Sequence, residues 1–348
     1  MIKVLALAHP DFAGDNANAL GMQAALAEHY EQQGVPVETT ATEEELAALT
    51  AGKALPDRQY VILGAGQSQL AHLEALKQPN VMTVWSGHQP APELLEKSRA
   101  LDVVHLPEYA VTAPLRTVLG HRLVTSPHGV PHSLTENIIN TAYGKLAPSL
   151  PPAGKFLLVM LGGDTPPDGT FSPQEAFSLG QQMGNYATQQ EFTLIGTNGP
   201  RTGGVGTHEP GMPLDEVSKS FLDGVNTSGL AAERQQFHPF VRGEESAYKG
   251  LLGAVKSREG SIAVLPGDSA SMLTEAIDML PLDSVAAYPT QAMQEIHHKQ
   301  LKTVAEKGYA TVAGFPAVIA AEKPSPAAKS VAEHIGSLSR QQNTGPVR

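Results

Sequence analysis

The part of this sequence best equipped for chemistry is LPGDSASMLTEA, Leu265 to Ala276. Gly267 can turn the chain there, Asp268 and Ser269 begin a helix, and Ser271 joins Ser269 in a first turn whose N–H groups have no intrahelical acceptor. A helix start with hydroxyls attracts phosphate. Glu275, one turn beyond Ser271 on the same face, can accept from the hydroxyls of a sugar or ribose. A second stretch, GTNGPRTGG from Gly196 to Gly204, carries the hydrogen-bonding side chains Thr197, Asn198 and Thr202. Its Arg201 is a cation set among glycines, suited to bidentate contact with a diphosphate or a carboxylate. A third, GGDTPPDG from Gly162 to Gly169, opens with Gly162 and Gly163, which permit close backbone approach to a bound group. The fourth, HPDFAGDNANALG at residues 9–21, offers Gly14, Asp15, Asn16 and Asn18 beside His9 and Asp11. Its polar tips and N–H groups can face a cleft while Asp15 or Asn16 caps a helix.

Composition narrows the chemistry. The chain has 348 residues and no Cys, so disulfide frameworks, thiolate metal sites and Cys nucleophiles are excluded. Mechanism must come from carboxylates, His and hydroxyls. With 24 Lys plus Arg against 35 Asp plus Glu and a formal charge of −11, binding to nucleic-acid backbones is not expected. Neither a P-loop nor a G-x-S-x-G elbow occurs, and the spacing of Gly162 and Gly163 is not the G-x-G-x-x-G of a dinucleotide site. No metal site is expected, since the adjacent His297 and His298 would point apart on a helix. The opening apolar run ends at His9, too short for a signal core or a membrane span. A soluble, cytoplasmic protein is expected, with any membrane contact peripheral.

The elements that must position these loops alternate. Apolar runs at Ile2–Ala8, Tyr60–Gly64, Val81–Trp85, Val103–Leu106 and Arg122–Thr125 read as strands, with helical stretches at Ala19–Gln33, Gln67–Lys77, Pro92–Ala100 and Ser133–Leu146. A second series runs from Phe156–Leu161 through Ser172–Gln189, Phe192–Gly196, Gln236–Val241, Ser246–Arg258, Ser261–Leu265, residues 269–280 and Val285–Ala287. Alternation of this kind predicts an α/β protein with parallel, doubly wound sheets, whose ligands sit where strands end. The proline-rich Pro148–Lys155 reads as a linker. It predicts one Rossmann-like domain over residues 1–150, a second over 151–325, and a last helix in the segment 326–348, opened by Ser325 and Pro326.

The same loops carry a resemblance. AVLPGDSASMLTEA resembles the T-x-DS-x-SM-x-x-EA segment of the mitochondrial fission ELM-type family, whose members resemble glycosyltransferases of the two-domain GT-B fold. GDNANALGMQAAL at 14–26 is similar to its G-x-x-N-Q-A-x-G-L stretch, with Asn18 where Gln is more usual. LLVMLGGDT at 157–165, TNGPRTG at 197–203 and TSPHGV at 125–130 are similar to further elements of that family, in the same order along the chain. Gly199-Pro200 before Arg201 leaves one basic residue where the family tends to have two.

The resemblance implies two Rossmann-like domains facing across a cleft, a nucleotide-sugar donor on the second, and an unidentified acceptor on the first. Carried over, Gly162, Gly163, Thr197, Asn198, Arg201, Asp268, Ser269, Ser271, Met272 and Glu275 would line the donor side. His9, Asp11, Gly14, Asp15 and Asn18 would face the acceptor, with His88, His128 and His132 as candidates for the cleft wall, and the helix at 326–339 would return to the first domain. The implied activity is metal-independent glycosyl transfer with no cofactor beyond the nucleotide sugar itself. Asp15 or Asp11, with His9 close behind, would take the acceptor proton, while Arg201 and the helix start at 268–271 would stabilise the departing diphosphate. The alternatives are a GT-B-shaped binding or interaction module without turnover, and a nucleotide-sugar epimerase or hydrolase.

Overall fold

The computed structural model describes residues 1–8, 13–152, 154–165, 169–204, 208–320 and 322–343. His9 and Asp11 therefore lie outside the described residues. Contacts divide the chain into two units, Met1–Ser133 joined by the chain from Pro324 onward, and Leu134–Lys323.

Unit 1 runs β1 (Ile2–Ala6), α1 (Ala13–Gln32), β2 (Val37–Glu38), α2 (Glu43–Thr50), β3 (Gln59–Ala65), α3 (Gln69–Ala75), β4 (Val81–Ser86), α4 (Leu94–Lys97), β5 (Val103–Pro107), α5 (Ala113–Leu119) and β6 (Leu123–Ser126). Its strands form one parallel sheet in the order β2-β1-β3-β4-β5-β6. Unit 2 runs α6 (Glu136–Leu146), β7 (Phe156–Met160), α7 (Pro173–Gln189), β8 (Thr193–Thr197), α8 (Glu216–Thr227), β9 (Gln235–His238), α9 (Tyr248–Ser257), β10 (Ile262–Pro266), α10 (Ala270–Met279), β11 (Val285–Tyr288), α11 (Glu295–Glu306) and β12 (Thr311–Val312). It has a second parallel sheet, β12-β11-β10-β7-β8-β9. Each unit is Rossmann-like. Every residue of β7 and of β8 is buried, as continuous apolar runs covered on both faces require.

The helices start where side chains can take the orphan N–H groups. Ser172 caps α7 with Pro173 at its first position, Asp215 caps α8, and Thr42 and Glu45 form a capping box on α2. Elements hidden from the apolar pattern are α2, α5, α8, α11 and the two-residue strands β2 and β12. Alanine, serine and charged residues dilute their periodicity. The largest shift of a boundary is in α1, which begins at Ala13, so Gly14, Asp15 and Asn18 belong to a helix rather than to a loop reaching Gly21.

The division between units falls after Ser133, not at 150/151. The helix α6 packs on α9 of unit 2, where Gly253 allows the two backbones to approach: a Cβ there would come within 2.6 Å of Ile139 O. The proline-rich segment is no linker either. Gln236 donates to Ser149 O at 3.0 Å and Arg258 to Pro151 O at 2.9 Å and Gly154 O at 3.1 Å, pinning it to unit 2. The final helix, α12 (Ala327–Asn343), belongs to unit 1. Val331, Ala332 and Ile335 are buried with Val4, Met22 and Leu26, and Tyr30 Oη meets Ser339 Oγ at 2.8 Å. Burial of side chains such as Ile335 is worth about 1.5–3 kcal/mol each, enough to hold a helix on its own unit. No helix of the described residues is long and apolar enough to cross a membrane.

Candidate functional site

In both sheets the strand order reverses once, between β1 and β3 in unit 1 and between β7 and β10 in unit 2. The carboxyl ends of those strands frame the crevice where open α/β sheets take ligands.

In unit 2 the crevice is framed by the Gly162–Asp164 loop after β7 and the Gly267–Ser269 turn after β10. Asp268 ties them together. Its carboxylate, 2% exposed, accepts from Gly163 N at 3.2 Å and from Thr290 Oγ1 at 3.0 Å, and it pairs with Arg201 Nη2 at 3.4 Å. Burial pushes the Asp268 carboxyl above its usual range, and the Arg201 cation pulls it partly back. Arg201 also donates to Asp164 O at 2.9 Å and Asp268 O at 3.2 Å, while its side chain keeps 44% exposure. The guanidinium is thus held at the crevice and still meets solvent.

The paired glycines have a local cause. A Cβ on Gly162 would stand 2.7 Å from Asp268 Oδ1, and one on Gly163 would stand 2.6 Å from Arg201 Cβ. They let the loops after β7, β8 and β10 close on one another. Asn198 is spent in the same way: Nδ2 donates to Asp215 Oδ2 at 3.1 Å and Ser218 Oγ at 2.9 Å, and Oδ1 accepts from Phe240 N at 2.6 Å. The Thr197 hydroxyl donates to His238 O at 2.7 Å. These two residues of the expected donor lining turn their polar atoms into the protein and shape the loop from within.

The start of α10 differs. Its first main-chain bond runs from Leu273 N to Ser269 O at 3.2 Å, so the N–H groups of Ala270, Ser271 and Met272 precede the helical ladder. Ser269 makes no capping bond, and among the described residues the Ser271 hydroxyl makes no hydrogen bond. Three N–H donors and two hydroxyls therefore stand at the carboxyl end of β10, beside Asp268 and Arg201. Met272 packs against the core. Tyr248 Oη donates to Met272 O at 3.3 Å, and its phenol is pushed well above its ordinary value by burial and by the neighbouring charge of Glu275. Glu275 is accordingly tied to Tyr248.

In unit 1, Asp15 lies in the first turn of α1, and its carboxylate rests on Gly66, which follows β3 with φ +78°. A Cβ at Gly66 would fall 2.0 Å from Asp15 Oδ2. Gly66 is fixed in turn by Trp85 Nε1 donating to its carbonyl at 2.8 Å. Gly14 is exposed, His88 is half-buried, and Asn18 is 4% exposed, its Oδ1 lacking a partner among the described residues.

His128 is fully buried and so is no wall of a crevice. It accompanies a cluster that sequence reasoning missed. Ser86, His105 and Ser126 link the ends of β4, β5 and β6, with Ser86 Oγ to His105 Nδ1 at 2.9 Å and His105 Nε2 to Ser126 Oγ at 3.0 Å. Ser126 gives its proton to Gly129 O, so Nε2 of His105 must donate and Nδ1 must accept from Ser86. Burial, aided by His128, lowers His105 to about 3. The only trace in sequence is one His inside the run VVHLP. Among the described residues no group of three or more His, Asp or Glu side chains is placed to hold a metal ion.

No family model and no curated protein matches the chain. Solved structures do. The chain is similar to UDP-GlcNAc 2-epimerase from Methanocaldococcus jannaschii at 10% identity and a TM-score of 0.53, over 97% of this chain and 99% of that one. It is similar to MurG from Acinetobacter baumannii at 12% identity and a TM-score of 0.43, over 98% and 91%. The apo structure of OtsA matches at 11% identity and a TM-score of 0.47, over 99% and 92%. At these identities the likeness is one of fold. The chain has the α/β architecture of the GT-B class, two Rossmann-like domains, each with its own six-stranded parallel sheet.

Proposed function

We propose that unit 2 binds the diphosphate of a nucleotide sugar and that the chain is a metal-independent glycosyltransferase of GT-B type, related to the ELM-type family. One observation carries the reading: the N–H groups of Ala270–Met272 and the hydroxyls of Ser269 and Ser271, without partners among the described residues, stand at a strand-order reversal with an exposed guanidinium alongside. A helix start and an Arg give a leaving diphosphate fixed positive potential. In this reading Arg201 exchanges Asp268 for phosphate oxygens, and Asp268, already biased toward its neutral form by burial, tolerates losing its cation. Taking the acceptor proton is assigned to the start of α1, with Asp15 as the described carboxylate.

A nucleotide-sugar epimerase or hydrolase is the second reading, favoured by the activity named for the M. jannaschii neighbour. Both need the same diphosphate site. UDP, GDP, ADP and CMP and their sugars are to be titrated by thermal shift, followed by analysis for released nucleotide and for the 2-epimer. Stabilisation by one nucleotide family, lost in Ser271→Ala, is the expected result. Nucleotide release only with an added acceptor supports transfer, and release or epimer formation without one supports the second reading. Stabilisation with neither product leaves a binding module, and no stabilisation by any nucleotide defeats all three. For transfer, Asp15→Asn is expected to lower turnover far more than donor affinity.

A further inference from the structure

Unit 1 holds a cavity of about 350 Å³ among β1, one flank of α1, and α2. Its wall is aliphatic, formed chiefly by Leu5, Leu7, Leu20, Leu46, Leu49 and Ile62, and carries no charged or aromatic side chain. Two of the three polar side chains in the wall, Gln23 and Thr50, spend their donors on the protein. Gln23 Nε2 donates to Val4 O at 2.7 Å and Thr39 O at 3.1 Å, and Thr50 Oγ1 donates to Leu46 O at 2.8 Å.

The cavity exists because β2 is short. The pairing of β2 with β1 ends at Lys3 opposite Glu38, whereas β1 continues to Ala6. Gln23 occupies the next position along that edge. Leu7 N bonds to Leu63 O on the β3 side, so the N–H and C=O of Ala6 point the other way, where no described residue pairs with them. Ala6 lines the cavity. The helix α2 is anchored at its other end, where buried Glu45 pairs with buried Lys3 and with Arg58 at 2.7 Å. That ion cluster, expensive to desolvate, holds the start of α2 over Lys3 and leaves its last turn to roof the aliphatic space.

We propose that this cavity binds a single aliphatic chain of on the order of ten carbons that carries an uncharged hydrogen-bonding group where it passes Ala6. The length follows from the volume, about twice that of an engineered cavity of ~150 Å³ that takes benzene. An uncharged head follows from a wall with no counter-ion for a charge. The N–H and C=O of Ala6, which have no partner among the described residues, supply the polar contact such a ligand needs. The site rests on unit 1 alone and does not depend on nucleotide-sugar chemistry.

The test is calorimetric titration of the full chain with decanoyl-N-methylglucamide below its micelle concentration, with acetyl-N-methylglucamide as the chainless control. Saturable binding with a negative heat-capacity change is expected for the decanoyl compound and none for the acetyl one. Ala41→Trp should fill the cavity, and Leu20→Lys and Leu46→Lys, at positions already 48% and 49% exposed, should charge its rim without disturbing the fold. Each is expected to weaken binding by about tenfold or more. Met212→Lys, at an exposed position of unit 2, should change nothing. Should Ala41→Trp fail to fold, the two lysine variants decide. No saturable binding of the decanoyl compound, equal binding of the acetyl one, or undiminished affinity in the lysine variants would overturn the proposal.

Discussion

The two strand-order reversals of this molecule are built on the same topology and furnished oppositely. In unit 2 the loops close through Asp268, Asn198 and paired glycines, yet the start of α10 keeps its donors and Arg201 keeps contact with solvent. In unit 1 the crevice carries a carboxylate, Asp15, while the same unit holds a wholly buried, neutral Ser86–His105–Ser126 ladder at the ends of β4, β5 and β6 and an aliphatic cavity on the β2 side of β1. One reversal presents N–H donors and a guanidinium beside Asp268, and the other presents the carboxylate of Asp15. A parallel sheet therefore supplies the place for a ligand, and the residues just after the strands supply its charge preference.

The contrast is broken most forcefully by acid. His105 titrates at about 3 in the folded state, below its ordinary value of 6.5, because burial disfavours the cation. Below about pH 6.5 the unfolded chain binds the extra proton and the folded chain does not, so stability is full above that pH and falls as pH drops toward 3. The loss approaches roughly 5 kcal/mol. Asp268 works in the other direction, since its folded pKa is raised and its contribution is retained in acid and lost as pH rises through that value. Acid unfolding should thus begin in unit 1. Trp85, the single Trp and buried in that unit, reports it by fluorescence. In His105→Asn the pH dependence of the Trp85 transition should flatten. A Trp85 transition that does not move with pH between 6.5 and 4 would refute the assignment.

A matched pair of glycine substitutions sharpens the comparison at about 2–3 kcal/mol each. In Gly66→Ala the methyl group meets the Asp15 carboxylate at a φ of +78°, so unit 1 should lose stability and the Trp85 signal should shift with it. In Gly163→Ala the methyl group meets Arg201 Cβ and, at 2.7 Å, the Arg201 carbonyl carbon, so the loops of unit 2 must part. That variant should lose diphosphate binding and leave the Trp85 transition where it was. Differential denaturation followed by Trp85 fluorescence and by far-ultraviolet dichroism separates the two.

What could be read from the chain divides along physical lines. Strands buried on both faces, such as Phe156–Met160 and Val103–Pro107, announce themselves as apolar runs, and with them the class of fold. Helices such as α2, α8 and α11 do not, because alanine, serine and charged residues interrupt their apolar spacing whatever their length. The start of α10 was legible since Gly267, Asp268 and the serines are local signals. The inward roles of Asn198 and Thr197 were not, because their partners Asp215, Ser218, Phe240 and His238 lie 17 to 42 residues away. The boundary was misread for the same reason. Prolines at 148–152 look like a linker until Gln236 and Arg258 arrive to hold them.

The smallest effect discriminates best, because one chemical change is made in both units. Ser126→Ala removes a buried hydroxyl that accepts from His105 and donates to Gly129 O, leaving both partners unsatisfied. It should cost about 1–3 kcal/mol of unit 1 stability and nothing in ligand affinity. Ser271→Ala removes a hydroxyl with no protein partner among the described residues, so stability should stay within ~0.5 kcal/mol of the parent. Nucleotide affinity should fall about ten- to a hundredfold, the worth of one hydrogen bond to a charged group. Thermal unfolding of both variants, with and without saturating nucleotide, reads the four quantities together. If Ser271→Ala unfolds early and its folded fraction binds nucleotide unchanged, the hydroxyl is structural and the two crevices are not opposites. If Ser126→Ala leaves stability untouched, the ladder in unit 1 contributes nothing, and the acid sensitivity assigned to His105 loses its cause.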